Sequence, residues 1–287
     1  MKFGLWTANG ALNSKPVFEA FATGVQKLGH KAILNQEADV EVIWSILWHG
    51  RMRKNQLIWN RCKTNKKPII VLEIGCFRRG YTWKLGINGI NRDAFFGPNG
   101  NDTKRADKIG LVCKDWKKSN KPILLAGQHA NSGQWHTPAD ATKYYVSTIQ
   151  HLKEFTDKKI IFRPHPRSPI QFDIQNFNNV EIEKPNKKIN TYDDYDLNVS
   201  KYSAVVNWSS NPGIQSIFEG IPAFVGESSL AYDVANKNFK NINNPTIFDT
   251  RQWLNDIAYT EWTIEEISTG DPLNRLMIYL KDCIIEN

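Results

Sequence analysis

At 287 residues the chain has room for two medium domains or one large one, and 41% apolar with 23% charged residues is the composition of a folded protein, not a disordered one. No run of about 18 apolar residues occurs and Met1–Thr7 lacks the apolar stretch of a signal peptide, so neither a transmembrane helix nor export is expected. The net charge of +8 is uneven: residues 1–118 hold 21 Lys and Arg against 9 Asp and Glu, net +12, and residues 119–287 hold 16 against 20, net −4. That pattern belongs to a chain whose first half meets a polyanion, or to one that is basic for solubility alone.

In chain order, Lys2–Thr7 reads as a buried strand. A helix capped by Ser14 runs to Leu28, with Val17, Phe18, Phe21, Val25 and Leu28 at helical spacing. Lys31–Leu34, Val40–Leu47 and Pro68–Ile74 read as strands, with a basic helix over Arg51–Cys62. This alternation predicts a parallel sheet covered by helices. Gly80–Gly100 is rich in Gly, Asn and aromatics and reads as a long irregular, functional loop, and the lysine-rich residues 114–121 as a linker. A second series follows. Pro122–Gly127, Lys159–Arg163, Val180–Glu183, Ala204–Trp208 and Pro222–Val225 read as strands, and Pro138–Phe155, Asp193–Ser200 and Pro212–Phe218 as helices. Arg251–Ile257 and Thr263–Glu286 close the chain as helices. Two sheet units, 1–118 and 119–250, followed by helices over 251–287, are the expected organisation. Ligands of such sheets bind outside the carboxyl ends of the strands.

Four cysteines, Cys62, Cys76, Cys113 and Cys283, form no C-x-x-C pair, which favours free thiols in a reducing compartment, the cytoplasm. Ten Trp suit either stacking on bases and sugars or packing between domains.

Two segments carry chemistry. Ile160-Ile161-Phe162-Arg163-Pro164-His165-Pro166-Arg167 ends a strand in two prolines that hold an imidazole between guanidiniums, a set that matches phosphate oxygens. Val205–Asn207 delivers the turn Ser209-Ser210-Asn211 to a helix start, where backbone amides favour an anion, or where the serines simply cap the helix. Glu219, two turns on, is placed to accept from ribose hydroxyls. Together these describe a nucleotide site.

Arg163-Pro164-His165-Pro166, a strand with Ser209-Ser210 and then Glu219-Gly220-Ile221-Pro222 resemble the donor domain of GT-B glycosyltransferases, most closely the Kdo-transferase type of capsule synthesis. Leu125-Ala126-Gly127-Gln128 is similar to that family's strand entering the second domain, and Glu73–Arg79 to its "E-D-G-F-x-R-S" segment, with Ile74 in place of the Asp. The resemblance implies an α/β fold of GT-B class: two facing Rossmann-like domains, the first receiving the acceptor and the second the nucleotide sugar, with the C-terminal helices packing back on the first. It implies donor contacts at Gln128, Arg163, His165, Arg167, Ser209, Ser210, Asn211 and Glu219.

Glycosyl transfer needs positive groups for the departing nucleotide and, on inversion, a carboxylate for the acceptor proton. Glu73, at the end of an apolar strand, ranks first as base and Asp93 second. Beside Arg78 and Arg79, a carboxylate could equally be a structural ion pair. Asp193-Asp194-Tyr195-Asp196 is acidic but reads as a helix start and not as a D-x-D metal motif, so no metal cofactor is expected and the nucleotide-sugar donor is the only small molecule expected. Trp48, His49, Arg51, Arg53, Lys54, Arg78 and Arg79 interleave cations with aromatic rings, a pattern suited to DNA. The favoured acceptor is a hydroxymethylated pyrimidine in bacteriophage DNA, in the host cytoplasm. A surface polysaccharide or lipid-linked glycan, a non-catalytic nucleic-acid-binding role and a sugar-nucleotide epimerase are the alternatives.

Overall fold

Apolar runs bounded by turn residues sort into two units in the computed structural model, which describes residues 1–168, 172–191 and 194–285. Unit 1 comprises Met1–Ile109 and Asn255–Asn287, and unit 2 is the continuous segment Gly110–Leu254. Unit 1 opens with β1 (Lys2–Leu5), α1 (Lys15–Lys27), β2 (Lys31–Leu34), β3 (Val40–Trp44), α2 (Asn55–Thr64), β4 (Ile69–Ile74), β5 (Trp83–Ile87) and α3 (Lys104–Ile109). Unit 2 holds β6 (Ile123–Ala126), α4 (Pro138–Lys153), β7 (Ile160–Arg163), β8 (Val180–Ile182), β9 (Ala204–Asn207), α5 (Asn211–Phe218) and β10 (Ala223–Val225). Helix α6 (Arg251–Ile257) returns the chain to unit 1, which β11 (Glu261–Trp262), α7 (Ile264–Thr269) and α8 (Asp271–Ile285) complete.

Both sheets are Rossmann-like. The unit 2 sheet has the order β10-β9-β6-β7-β8 with every pair parallel. Unit 1 has the order β11-β5-β4-β3-β1-β2, parallel from β4 to β2, with β5 antiparallel to both its neighbours. In each unit the first strand has neighbours on both sides. Crossovers therefore diverge between β1 and β3 and between β6 and β9, and ligands of open α/β sheets bind at the carboxyl ends of such switch points.

The C-terminal helices pack on the N-terminal unit, as expected. Ile267, Leu273, Leu276, Met277 and Leu280 share one core with Phe18, Phe21, Val25 and the β1, β3 and β4 side chains. A single helix over 263–286 does not form. Gly270, at φ +90°, ends α7 in the left-handed conformation that glycine adopts without strain, and α8 starts afresh. Glu286 lies outside the described residues.

Other departures have local causes. The loop expected over Gly80–Gly100 contains β5, five fully buried residues whose Lys84 disguised a core strand. The basic helix starts as a 3-10 turn over Gly50–Lys54, and the α-helix proper begins at buried Asn55, whose amide donates to the Trp44 carbonyl at 2.7 Å. The helix expected at 193–200 forms only a 3-10 turn over Val199–Lys201 in its described part, Asp193 lying outside the described residues. Tyr195 instead bridges to Lys187, and Asp196 accepts from the Asn186 amide at 2.8 Å.

The observed units also redistribute the charge. Unit 1 regains the acidic C-terminal segment and holds 20 Lys and Arg against 15 Asp and Glu, net +5; unit 2 holds 17 against 14, net +3. The imbalance between chain halves does not survive as an imbalance between units.

Candidate functional site

In unit 2 the carboxyl ends of β6, β7 and β9 are knitted together. The Gln128 side chain, buried just after β6, accepts from the Ser209 amide (3.3 Å) and hydroxyl (3.1 Å) after β9. Its own amide nitrogen donates to Ser132 Oγ at 3.2 Å. The Tyr145 hydroxyl, from α4, accepts from the Gln128 backbone N–H at 2.6 Å and donates to the Gln128 carbonyl at 2.9 Å. Burial pushes this phenol up to about 12, so it stays protonated and keeps both bonds across the physiological range. On the other side the Gly127 amide donates to the Arg163 carbonyl at 2.8 Å, and the Ala130 amide to Ser168 Oγ at 3.0 Å. Residue 127 must be glycine: a Cβ there would sit 2.8 Å from the His165 backbone nitrogen.

This arrangement sets His165 edge-to-face against His129, ring centres 5.1 Å apart. His165 Nδ1 accepts from the Arg167 amide at 3.2 Å, which places the proton of the neutral ring on Nε2. His129 Nδ1 likewise accepts from the Asn131 amide at 3.1 Å. Beside them a small solvent-open hollow is lined by Gln128, Tyr145, Phe162, His165, Ser168 and Phe172 among others. At the start of α5, fully buried Asn207 donates through Nδ2 to the Ser210 carbonyl (2.8 Å) and hydroxyl (3.0 Å), fixing the turn that presents Ser210 and Asn211. Gln128 and the 209–211 turn thus meet at the switch point between β6 and β9, and His165 and Arg167 follow β7, on the other side of β6.

Arg163 and Glu219 face other partners. The Arg163 guanidinium is buried and pairs with Glu183 (2.5 Å) and with the Asp196 carboxylate (2.7 Å) and carbonyl, while Tyr202 donates to Glu183 at 2.9 Å. Glu219 accepts from Lys114 Nζ with both oxygens, at 2.8 and 2.7 Å.

In unit 1, Glu73 lies near the carboxyl end of β4, half-buried. One oxygen accepts from the Ser45 hydroxyl at 2.5 Å and the other from the Ile74 amide at 2.8 Å. Asp93 is not brought to it. Strand β5 runs antiparallel to β4, pairing Ile70 with Ile87, so the 88–101 loop that carries Asp93 leaves from the amino end of the parallel strands. Buried Lys84 is directly opposite Glu73 on β4 and Glu261 on β11, so the three side chains share one sheet face. Glu261, fully buried, accepts from the Cys76 and Phe77 amides and from Thr82 Oγ1, shaping the loop that bears Arg78 and Arg79.

Arg51, Arg53, Lys54, Arg78 and Arg79 are exposed on the loops after β3 and β4. Arg78 lies 4.4 Å from the Tyr81 ring centre. Trp48 is half-buried against Trp59, ring centres 6.0 Å apart, and His49 is exposed. Part of the neighbouring basic run is neutralised internally: buried Glu41 binds Lys67 at 2.7 Å and Arg61 at 3.4 Å. Local sequence does not mark Tyr145, His129, Asn207, Ser45, Lys84 or Glu261 as functional. The one sequence signal for Ser45 is a lone hydroxyl interrupting the apolar run Val40–Leu47.

Among the described residues no helix is long and apolar enough to cross a membrane. No protein-family model matches the chain, and no curated protein matches it. Among solved structures it is similar to KpsC of Thermosulfurimonas dismutans, beta Kdo 2,7 transferase, at 14% identity and TM-score 0.52, covering 96% of this chain and 100% of that one. It is similar also to the beta Kdo 2,4 transferase of the same organism's KpsC, at 12% identity and TM-score 0.52, covering 91% of this chain and 90% of that one. At these identities the likeness is one of fold, and it bears out the expected GT-B class.

Proposed function

We propose that the chain is a glycosyltransferase that moves a sugar from a nucleotide-sugar donor to a polyanionic acceptor without a metal cofactor. The observation that carries this reading is the cluster in unit 2, where Gln128 ties the Ser209 turn to the loop that abuts His165. Its parts suit a phosphate: an imidazole Nε2–H, the amides that open α5, and Arg167 two residues after the imidazole. Donors held in place before reaction stabilise the charge on a departing nucleotide without reorganising. Arg163 and Glu219 support this cluster indirectly, the first by fastening the end of β7 and the second by fastening Lys114. Glu73 takes the acceptor proton as the acceptor oxygen bonds to the anomeric carbon.

For the acceptor we favour a hydroxymethylated pyrimidine in DNA, as in bacteriophage DNA modification. The support is local: five exposed cations on the loops after β3 and β4, with Trp48 and His49 on the first of them. A base in duplex DNA would have to be flipped out to react. An anionic surface glycan or lipid-linked glycan is the second reading, favoured by the Kdo-transferase activity that the two similar structures carry in their names.

Incubation with CMP-Kdo, UDP-glucose and GDP-mannose, each with hydroxymethylated DNA, plain DNA or capsule oligosaccharide, tests both readings. Transfer to hydroxymethylated DNA alone is expected. Transfer to glycan alone selects the second reading, and no turnover of any donor rejects both. His165→Ala is expected to weaken donor binding about 10- to 150-fold, the worth of one hydrogen bond to a charged group, at unchanged Tm.

A further inference from the structure

Residue 45 has a backbone conformation that its side chain does not favour. Ser45 follows β3 with φ +63°, a left-handed geometry that non-glycine residues rarely adopt. Its amide still continues the sheet, donating to the Leu72 carbonyl of β4 at 2.8 Å. The left-handed turn aims the hydroxyl sideways along β4, where it donates to Glu73 Oε2 at 2.5 Å and accepts from the Leu47 amide at 3.1 Å. Ser45 is buried, whereas Glu73 is half-exposed. The Ile74 amide holds the second carboxylate oxygen. Each oxygen of an ionised carboxylate has two lone pairs, so one on each stays available for a proton from outside.

We propose that Ser45 is a positioning residue for Glu73: its strained turn clamps one carboxylate oxygen so that the remaining lone pairs face the acceptor. The inference rests on the reading of Glu73 as the base. A carboxylate at the end of three rotatable bonds keeps one orientation only when both oxygens are held, and small misplacements of a reacting group cost rate steeply. The Ile74 amide binds the other oxygen and not the one that Ser45 holds.

Ser45→Gly separates this role from a merely structural one, because glycine adopts φ +63° without penalty while removing the hydroxyl. With the donor–acceptor pair that turns over, Ser45→Gly is expected to lower kcat about 10- to 100-fold at unchanged KM, with Tm held or raised. In a Glu73→Gln background the same change is expected to cost nothing more, since the clamped group is gone. A crystal structure of Ser45→Gly, which needs no substrate, is expected to show the Glu73 carboxylate in more than one rotamer. An unmoved kcat, a kcat loss matched by a fall in Tm, or a Glu73 carboxylate still in its single rotamer overturns the inference. If Glu73→Gln itself keeps the full rate, it is the base assignment that fails, whatever Ser45→Gly does.

Discussion

The two sheets end in different ways at their switch points. In unit 2 the strand ends are joined by side chains that reach across to neighbouring backbones: Gln128 to Ser209, Tyr145 to Gln128, Asn207 to Ser210. In unit 1 the corresponding edge holds one clamped carboxylate among loops of exposed cations. A pre-formed edge suits a small ligand of fixed shape, and an edge of exposed charged side chains suits a large one whose approach varies. The contrast also corrects the use of net charge. Dividing the chain at residue 118 put +12 on one side, whereas the observed units carry +5 and +3, so any polyanion contact depends on which cations lie together and not on a half-chain total.

Breaking the latches of unit 2 gives the largest expected effect. Arg163→Ala removes the buried guanidinium that binds Glu183 and Asp196, both partly exposed, and is expected to cost about 1.5–3 kcal/mol in urea unfolding, whereas His165→Ala leaves stability alone. Equal stability losses for the two would erase the distinction between fastening and ligand-facing groups.

Unit 1 has a latch of its own, away from its strand ends, in the pair Arg105–Glu266. Burial raises the Glu266 carboxyl, but bonds from Arg105, the Thr263 amide and Lys108 outweigh it and bring it down to about 2. A depressed carboxyl contributes stability that is complete above its unfolded value, near 4.5, and is lost as the pH falls through 2. Acid unfolding followed by tryptophan fluorescence is expected to begin below pH ~4.5, and Arg105→Met is expected to flatten that dependence.

Gly127→Ala sharpens the comparison on a smaller scale. The added methyl presses on the His165 backbone and is expected to cost about 1–3 kcal/mol while weakening donor binding in isothermal titration. The same change at exposed Gly50, where a Cβ meets nothing within 4 Å, tests left-handed backbone strain alone and is expected to leave donor affinity unchanged.

The smallest effect concerns the cations. If DNA lies on the loops after β3 and β4, Arg51→Glu with Arg53→Glu is expected to reduce the slope of log Kd against log salt by about 2, at unchanged Tm. An unchanged slope places the polyanion elsewhere.

What was legible in the sequence follows from how local each feature is. Strands β2, β4, β6 and β7 were marked by apolar runs, and His165 by prolines on both sides, all within a few residues. Strands β5 and β11 are hidden because each carries a charged residue, Lys84 or Glu261, whose burial makes sense only once they lie side by side. Arg163 was read as a ligand contact because its partners, Glu183 and Asp196, are 20 and 33 residues away. Asp93 was ranked as a base because nothing local reveals that β5 reverses direction. Ser45 was overlooked for the same reason: its meaning lies 28 residues off, at Glu73.

The order in which a ribosome releases this chain matters for one arrangement. Unit 2 interrupts unit 1, so β6 to β10 are all synthesised before β11 and α8 exist. The inserted unit can close while Phe18 and Phe21 still await Leu273, Leu276 and Leu280. During that interval the nascent protein carries one finished half and one with its greasy flank bare, the state in which a chaperone is most needed.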